Sequence, residues 1–462
     1  MASATSPNSG WNEGGGLDVL VPPVQVSPES QAADQHEVEQ RAVVVVGGGQ
    51  AGLAAAACLQ RRGIRPLVLE RHRVAHAWEQ QRWDSFCLVT PNWQCRLPDF
   101  PYDGEDPDGF MGRDEIVAYV RRFAAAIGAD VREGVQVERL AQQGGSYVLS
   151  TSDGTIEAAH VIVATGGYHT PRRHPQAQRL PASVLQLDAR DYRRPDQLPA
   201  GAVLVVGSGQ SGCQIAEDLF LAGRRVHLSV GSAPRSPRRY RGKDVVDWLD
   251  RMGYYSMPIS EHPDPRVVRG KTNHYLTGRD GGREIDLRRH ASNGMVLHGR
   301  LQELGPQRIR FGGDLAASLD QADAVYARIR ASIDSYIERA GLEAPEEPPY
   351  EPCWHPPAGA GDELDLGGEP LAAVIWCTGY RSDFSWIEVP VFDGSGHPAH
   401  DRGVSPSPGL YFLGLPWLHT WGSGRFGGVA EDADHLAETI RLRLQLTDIR
   451  HERLECTALL GS

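Results

Sequence analysis

The chain has 462 residues, of which 40% are hydrophobic, and it carries a formal net charge of -12. At roughly 100–200 residues per domain, this length predicts two or three domains with a sizeable core. The acidic balance argues against nucleic acid or an anionic membrane as the main partner. No apolar run reaches the roughly 18 residues that a membrane-spanning helix needs, and the N-terminus lacks the pattern of a secretory signal.

The seven cysteines are scattered along the chain and odd in number. This usage is typical of reduced thiols in a cytoplasmic protein and not of a disulfide framework. The pair closest in sequence, Cys87 and Cys95, does not have the CxxC spacing of a redox-active disulfide.

Residues 1–40 are rich in Ser, Gly, Pro and acidic side chains and show no periodicity, which predicts a disordered tail. Order is expected to begin at the β-branched run Val43–Val46, a pattern typical of a parallel strand buried on both faces. A glycine-rich turn at 47–52 follows, then an alanine-rich helix and a second strand that ends at Glu70. These segments make one complete β-α-β unit.

The β-α-β unit recurs once, about 160 residues further along the chain. A strand at 203–206 leads into a glycine-rich turn at 207–212, a helix to about Ala222 and a second strand at 226–230. Four further segments are expected downstream. They are a helix at 320–340, a Pro/Glu-rich linker at 343–357, a buried strand at 371–377 and an amphipathic helix at 431–446.

These segments predict an α/β protein with two Rossmann-like dinucleotide-binding domains, the second inserted into the first. The boundaries expected are a disordered tail at 1–40, the first part of the first dinucleotide-binding domain at 41–196, the second dinucleotide-binding domain with a helical insertion at 197–370, and a return to the first domain at 371–462.

The chemistry of each turn depends on glycine. Gly47 and Gly49 allow a tight turn and a close approach of pyrophosphate, and Gly52 lets the helix pack against the strand. The helix N-terminus then presents free N–H groups to the phosphates. A lone GxGxxG is a weak signal, but here it follows a strand, opens a helix and precedes a strand that ends in Glu70.

The two units differ at the end of their second strand. Glu70 would accept hydrogen bonds from a ribose 2′-hydroxyl and repel a 2′-phosphate, so the first unit is expected to bind FAD. Gly231 and Ser232 occupy the matching place in the second unit, which is therefore expected to bind NADPH. The basic residues that come next favour a phosphate, although they could also form a solvated loop or a nucleic-acid patch. They are Arg235, Arg238, Arg239, Arg241 and Lys243.

The chain resembles the class B flavin monooxygenases of the flavin-containing monooxygenase, YUCCA and CzcO type. The resemblance rests on the two GxGxxG turns, on Ala164-Thr165-Gly166, and on the stretch from Trp78 through Thr90-Pro91-Asn92-Trp93 to Pro98-Asp99-Phe100-Pro101. It extends over roughly residues 41–445. The chain is still more similar to a bacterial group of uncharacterised FAD-dependent oxidoreductases, some of them encoded beside a nitrilase.

The turns and the resemblance together give the expected cofactor-binding residues. For FAD they are Gly47, Gly49, Gln50, Ala51, Gly52, Glu70, Arg71, Trp78, Trp83, Val137, Ala164, Thr165 and Gly166. For NADPH they are Gly207, Gly209, Gln210, Ser211, Gly212, Ser232, Arg235 and Arg239. At the return to the FAD domain they are Thr378, Gly379, Tyr380 and Asp383.

The resemblance also implies a reaction. NADPH would reduce the flavin, oxygen would give a C4a-peroxyflavin, and one oxygen atom would pass to a small nitrogen, sulfur or carbonyl substrate. The resemblance places Asn92 beside the flavin C4a carbon as the catalytic residue; the alternative is a loop residue that bonds the backbone. The sequence offers no nucleophile triad or paired carboxylates.

The chain departs from the family at the fingerprint FxGxxxHxxx(Y/W). Its positions hold Ala182, Val184, Asp188 and Tyr192, and only the last matches. An NADPH oxidase or dehydrogenase without oxygen insertion therefore remains an alternative, as does a non-catalytic redox sensor. A pyridine nucleotide-disulfide reductase is rejected because no cysteine pair has the required spacing.

The remaining features are weak. His72 and His76 are one helical turn apart but have no carboxylate partner in sequence, so no metal site is expected. Trp417, Trp421 and Phe426 could line a substrate pocket or pack in the core. The expected partners are a small-molecule substrate and molecular oxygen, with a homodimer as an option and no nucleic acid or membrane.

Overall fold

The structure is a computed structural model that describes residues 38–270, 273–357, 359 and 361–460. Most of the predicted tail, 1–37, lies outside the described residues. The strands are β1 (Glu39–Val46), β2 (Leu67–Glu70), β3 (Arg96–Leu97), β4 (Phe100–Pro101), β5 (Asp130–Glu133), β6 (Val137–Gln143), β7 (Ser146–Thr151), β8 (Gly154–Val163), β9 (Thr170–Pro171), β10 (Leu185–Asp188), β11 (Ala202–Val206), β12 (Val226–Ser229), β13 (Arg239–Tyr240), β14 (Lys243–Asp244), β15 (Val296–His298), β16 (Leu301–Leu304), β17 (Arg308–Phe311), β18 (Glu363–Asp365), β19 (Leu371–Trp376), β20 (Tyr380–Arg381) and β21 (Leu410–Phe412). The helices are α1 (Gln50–Gln60), α2 (His76–Gln80), α3 (Arg113–Ile127), α4 (Gln210–Leu221), α5 (Val245–Arg251), α6 (Pro265–Gly270), α7 (Arg279–Gly282), α8 (Leu287–Ser292), α9 (Leu315–Ala340) and α10 (Val429–Leu460).

The first sheet has the order β5-β2-β1-β8-β7-β6, with β21 also paired to β8. The strands β5, β2, β1, β8 and β21 run parallel, whereas β6 and β7 form an antiparallel meander. Along β1, Val43 and Val45 enter one core cluster with α1, α3 and α10, while Val44 and Val46 enter another on the opposite face. This alternation explains the continuous apolar run, because a parallel strand is covered on both faces.

The second sheet is fully parallel, with the order β10-β19-β11-β12-β15. Along β11, Val203 and Val205 face one core cluster, and Leu204 and Val206 face another. The second Rossmann-like domain is inserted into the first, because the chain leaves the first sheet after β8 and rejoins it at β21.

The pairing of β10 and β19 corrects the predicted boundaries. The strand predicted at 371–377 exists, but it lies between β10 and β11 in the second sheet and not in the FAD domain. The second domain also begins before 197, since β10 ends at Asp188. The predicted linker at 343–357 contains neither helix nor strand. The first strand begins at Glu39, inside the stretch 1–40 that was predicted to be disordered.

Among the described residues, three two-stranded ribbons, one three-stranded sheet and a helical insertion complete the fold. The strands β9 and β20 pair antiparallel where the chain crosses between the two sheets. The helices α5 to α9 form the insertion, in which Trp248 and Tyr240 pack against Ile333 of α9. Within the part of the chain that the structure describes, no helix is long and apolar enough to cross a membrane.

Candidate functional site

The first glycine-rich turn lies between β1 and α1. Gly47 has a left-handed φ of +112°, and a Cβ there would lie 2.6 Å from the Ala164 carbonyl oxygen, so this position requires glycine. A Cβ on Gly52 would overlap the Gly47 carbonyl oxygen, which keeps the helix close to the strand. A Cβ on Gly49, by contrast, would meet no protein atom within 4 Å. The N-terminus of α1 therefore opens onto free space that can receive a phosphate.

Glu70 lies at the carboxyl end of β2, beside this turn. Its carboxylate accepts hydrogen bonds from the Gly48 N–H at 2.7 Å and from the His72 N–H at 2.9 Å. The side chain is half-buried, and a carboxylate has further lone pairs available to a ribose hydroxyl. The neighbouring Val135 donates its N–H to the Glu70 carbonyl oxygen at 3.0 Å. Val137, which was expected to bind FAD, lies two residues further on, at the start of the meander.

The second turn repeats the first. Gly207 has a φ of +102°, and a Cβ there would lie 2.6 Å from the Cys377 carbonyl oxygen. Gly212 packs on Gly207 as Gly52 packs on Gly47. The pair Gly47 and Ala164 in the first domain thus has a counterpart in Gly207 and Cys377, which places Thr378 and Gly379 as the second copy of Thr165 and Gly166.

The two turns differ at the carboxyl end of the second strand in each unit. In the second domain the Ser208 hydroxyl accepts the Gly231 N–H at 2.9 Å, where Glu70 accepts a turn N–H in the first domain. Ser232 is exposed and carries no charge. A 2′-phosphate at this edge would therefore meet no carboxylate corresponding to Glu70.

Arg235 was predicted to contact the 2′-phosphate, and this prediction is wrong. The side chain is only 2% exposed, and its guanidinium forms ion pairs with Glu284, Asp286 and Asp323. The rings of Tyr326 and Tyr350 cover it at 4.4 and 4.2 Å. Three carboxylates already compensate this charge, so Arg235 holds the helical insertion together and is not available to a phosphate.

The rest of the basic run has mixed roles. Arg238 is buried, pairs with Asp244 and donates to the Val89 carbonyl oxygen at 2.7 Å. Arg239 is exposed and donates to the Gly281 carbonyl oxygen at 3.1 Å, so it remains available to an external anion. The charge pattern could not predict which of these arginines are buried, because their partners lie far along the chain; Asp323 is 88 positions from Arg235, and Gly281 is 42 positions from Arg239.

Arg300 is a residue that the sequence argument missed. It follows β15, whose register against β12 ends with His298 beside Ser229, and beyond that point the Leu301 N–H donates to the Ser229 hydroxyl at 3.1 Å. Arg300 therefore lies near the carboxyl end of β12, where Gly231 and Ser232 follow. Its side chain is exposed and pairs loosely with Asp314 at 3.3 Å. The signal would have been an arginine two residues after the end of a third strand.

A cluster of aromatic side chains joins the first turn to the last helix. The Trp78 indole N–H donates to the Gln50 side-chain oxygen at 3.1 Å, and the Gln50 amide reaches the Gly424 carbonyl oxygen at 3.5 Å. Trp78 also stacks on Phe426 at 5.6 Å. The structure thus brings Gln50 and Trp78 together with the glycine-rich run before α10.

Three other expected residues have structural roles. Asn92 is 3% exposed; its amide donates to the Asp106 carbonyl oxygen at 2.9 Å and its carbonyl accepts the Met111 N–H at 2.7 Å. It therefore fixes a loop, as the alternative expected, and the catalytic role of Asn92 stays a prediction. Trp83 is buried in the core cluster of the second domain and not beside the first turn. Trp417 packs with Ile259 in a small apolar cluster.

The remaining positions are exposed or half-buried. Arg71 and Ser211 are exposed, and Asp383 accepts hydrogen bonds from the backbone and hydroxyl of Ser385, which lower the pKa of its carboxyl. His72 and His76 stack at 3.9 Å, but no group of three or more ligating side chains among the described residues is arranged for a metal ion.

Comparison with known proteins identifies the family. Residues 44–251 match the model of the pyridine nucleotide-disulphide oxidoreductase family. The chain is 31% identical over 409 residues to an uncharacterized CzcO-like oxidoreductase of Geobacillus kaustophilus, covering 88% of this chain and 99% of the relative. It is 34% identical over 344 residues to the indole-3-pyruvate monooxygenase YUCCA1 of Oryza sativa subsp. japonica, covering 67% of this chain and 82% of the relative. The chain belongs to the CzcO and YUCCA family of flavin-monooxygenase-like oxidoreductases.

The solved structures agree on the fold. A flavin-containing monooxygenase from Stenotrophomonas maltophilia superposes with a TM-score of 0.59 at 20% identity, covering 88% of this chain and all of that chain. As a member of the CzcO and YUCCA family, the protein is a flavoprotein oxidoreductase that binds FAD and NADPH. The open end of α1 at Gly49 and the repeated turn at Gly207 fit two dinucleotides.

The family fingerprint is altered in this chain, and the structure shows what replaces it. Asp188, at the histidine position, ends β10 and forms a bidentate ion pair with Arg173 at 2.6 and 3.0 Å. Tyr192, the position that matches, is buried and donates its hydroxyl to Asp218 of α4 at 2.7 Å. Burial together with the hydrogen bond to Asp218 raises the pKa of Tyr192.

Proposed function

We propose that this protein is an NADPH-dependent flavin monooxygenase, with FAD at the first turn and NADPH at the second. The observation that carries the assignment of the two cofactors is the difference at the strand ends. A carboxylate, Glu70, closes β2, whereas an uncharged Gly231-Ser232 pair closes β12. A ribose diol suits the first arrangement and a 2′-phosphate suits the second.

At the first turn, α1 directs its free N–H groups toward the pyrophosphate, and Gly49 leaves the space that the phosphate needs. Glu70 is held in place by two backbone N–H groups, so its remaining lone pairs point at a fixed position. Gln50 and Trp78 connect this turn to Gly424 and Phe426, which would place the aromatic cluster beside the flavin ring.

At the second turn, α4 plays the part of α1, and Ser232, Arg300 and Arg239 face the phosphate that distinguishes NADPH from NADH. Arg300 follows the strand next to β12, so it is the better placed of the two arginines. Arginine is suited to this role because its planar fork binds phosphate through two hydrogen bonds.

FAD reduced by NADPH supplies the chemistry that activates oxygen. The chain's own contribution is to bind and orient the two nucleotides and to surround the reacting centre with apolar side chains that exclude water. Trp78 and Phe426, which stack on each other, would form such a wall. The monooxygenase activity named for the rice relative supports the transfer of one oxygen atom. The acceptor that we propose is a small nitrogen, sulfur or carbonyl compound.

The test is the fate of the electrons from NADPH. Purified holoenzyme would be incubated with NADPH, ¹⁸O₂ and a panel containing a tertiary amine, a thioether and a ketone, with NADPH loss, hydrogen peroxide and product mass recorded together. A product that carries one ¹⁸O atom is expected for at least one compound. Recovery of all the electrons as hydrogen peroxide with every compound would refute oxygen insertion.

The second candidate is an NADPH oxidase without oxygen insertion, and the Asp188–Arg173 ion pair at the histidine position of the fingerprint favours it. Complete recovery of the electrons as peroxide would identify it. An absence of NADPH turnover would instead indicate a nucleotide-binding redox sensor.

A further inference from the structure

Arg82, in the loop between α2 and β3, is a half-buried cation without a counter-charge. Its guanidinium donates to the Gln81 carbonyl oxygen at 2.8 Å and lies over the rings of Trp78 and Phe86, 5.1 and 5.5 Å from their centres. Among the described residues no carboxylate forms an ion pair with it, and burial lowers the pKa of the guanidinium. A cation in such a place is costly unless a bound anion supplies the missing charge.

The hydrogen-bond donors of Arg82 are open to a ligand. Arginine presents five N–H donors in a planar fork, and only one nitrogen of Arg82 has an acceptor within the part of the chain that the structure describes. The other nitrogens are not enclosed by protein. The nearby Arg113 of α3 differs, because it is already paired with Asp84 and Asp114.

Arg82 lies at the junction of the two dinucleotide-binding domains. Phe86, which it covers, packs against the core clusters of both domains, and Trp78 is hydrogen-bonded to the first turn. The phenols of Tyr380 and Tyr168 are close enough to act on the charge of Arg82 through space, and their rings pack 5.8 Å apart. With its stem against two rings of the first domain, the guanidinium faces these tyrosines.

The two tyrosines mark the cleft between the glycine-rich turns. Tyr168 follows Thr165 and Gly166 beside the first turn, and Tyr380 follows their second copy, Thr378 and Gly379, beside the second. Tyr168 is 61% exposed, so the cleft is accessible. A dinucleotide held at the second turn has to pass this cleft to bring its nicotinamide to a flavin at the first.

The pyrophosphate of such a dinucleotide needs more positive charge than the second domain supplies. Each of its phosphates is negative, whereas a helix N-terminus offers only about half a positive charge. The first turn of α4 holds Gln210 and Ser211 and no basic side chain. Arg235 and Arg238 are already paired with carboxylates, and Arg300 lies at the strand end assigned to the 2′-phosphate. A cation from the other domain would complete the site.

We propose that Arg82 of the first domain binds the pyrophosphate of the NADPH that the second domain holds, opposite the N-terminus of α4. The proposal rests on the proposed function, since it takes NADPH to be bound at the second turn. The contact joins the two domains through the nucleotide and is separate from the contact of Arg300 with the 2′-phosphate.

The test measures nucleotide binding to the oxidised holoenzyme by calorimetry, so that it does not depend on catalysis. The ligands are NADP⁺, 2′-phospho-ADP-ribose, which keeps the pyrophosphate but lacks the nicotinamide, and adenosine 2′-monophosphate, which lacks both. In Arg82→Gln the affinity for the first two is expected to fall by the same factor, about 10- to 100-fold, as charged hydrogen bonds from one arginine allow. The affinity for adenosine 2′-monophosphate should not change.

Arg328→Gln is the matched control, because Arg328 is an exposed arginine of α9 and the charge change is identical. FAD content and the unfolding temperature establish that each variant is folded. Arg300→Gln should give a different pattern and weaken all three ligands, since each carries the 2′-phosphate. If Arg82→Gln does not fold, Arg82→Lys tests the same contact. It should lose part of the affinity for the two pyrophosphate ligands, because the charge remains and the fork is lost.

The proposal is overturned if the Arg82 variants bind 2′-phospho-ADP-ribose as the wild type does, or if only NADP⁺ is weakened, which would assign the guanidinium to the nicotinamide end. It is also overturned if adenosine 2′-monophosphate is weakened by the same factor, or if FAD content falls instead, which would assign Arg82 to FAD. A wild type that binds none of the three ligands refutes NADPH at the second turn and the proposal with it. Failure of oxygen insertion with the pyrophosphate effect retained at Arg82 refutes the proposed function alone.

Discussion

The preference for NADPH over NADH can be localised to a single exposed arginine. In Arg300→Gln the side chain near the carboxyl end of β12 loses its charge but keeps much of its length and polarity. The loop should stay folded, because Arg300 gives up only a loose, exposed ion pair with Asp314 at 3.3 Å. Surface pairs of this kind contribute about 0–1 kcal/mol.

The free energy that Arg300 contributes to NADPH binding depends on two competing contacts, one with the 2′-phosphate and one with Asp314. A charged hydrogen bond from arginine to phosphate contributes about 1.5–3 kcal/mol, from which the weakened pair with Asp314 removes up to about 1 kcal/mol. The net of about 0.5–3 kcal/mol corresponds to roughly 2- to 150-fold in kcat/KM for NADPH. NADH has no 2′-phosphate, so its kcat/KM should not change.

The assay measures kcat/KM for both nucleotides in the steady state. Anaerobic flavin reduction in a stopped-flow instrument then checks the same preference at the step that isolates nucleotide use from oxygen chemistry. Arg328→Gln serves as the charge-matched control, and Arg239→Gln tests the other exposed arginine. The NADPH preference should shrink with added salt, since the contact is exposed. Equal kcat/KM for the two nucleotides in the wild type would refute the assignment of NADPH to the second turn. An unchanged ratio in Arg300→Gln would remove Arg300 from the site.

Three further substitutions test other parts of the geometry. Gly49→Ala should fold normally but lose most of its FAD, because the new Cβ would occupy only the space expected for pyrophosphate. Gly313→Ala is the control: its Cβ also meets no protein atom, and this variant should keep full flavin absorbance. Asn92→Ala should lower the free energy of unfolding by about 1–3 kcal/mol, because the buried Met111 N–H loses its acceptor. The yield of hydrogen peroxide should not change. A higher peroxide yield at unchanged stability would instead support a catalytic role for Asn92. Burial lowers the pKa of His298 to about 4, so the stability that it contributes is complete above about pH 6.5 and is lost as the pH falls toward 4. Urea unfolding at pH 7 and pH 4.5 should show a smaller loss in His298→Gln than in the wild type, and equal losses would contradict this assignment.

The parts of the site that sequence could predict are those set by local backbone geometry. Gly47, Gly52, Gly207 and Gly212 are needed because a Cβ would strike a carbonyl oxygen of the same or an adjacent strand. Such requirements are short in range, so the GxGxxG pattern, its strand and its helix carry them together. The end of β2 at Glu70 was predictable for the same reason.

The errors concern partners that are distant in the sequence. The strand at 371–376 was recognised from its apolar run, but an apolar run does not specify which strands flank it, and the pairing with β10 and β11 was missed. The charge of Arg235 suggested an open phosphate site, whereas Glu284, Asp286 and Asp323 of the insertion enclose it. Arg300 was overlooked because only the register of β15 against β12 brings it to the site.

The altered fingerprint does not by itself decide between oxygen insertion and simple oxidation. In the family the corresponding stretch links the two domains, and here Asp218 performs such a linkage. Its carboxylate accepts Ser85 of the first domain at 2.6 Å, Tyr192 of the linker at 2.7 Å, and Arg279 of the insertion at 2.7 Å. Three segments thus converge on one buried group of α4, and such networks fix the relative positions of the parts they join. Because other residues keep the domains coupled, the loss of the fingerprint histidine does not require the loss of oxygen insertion, and we expect the electrons from NADPH to appear in product as well as in peroxide.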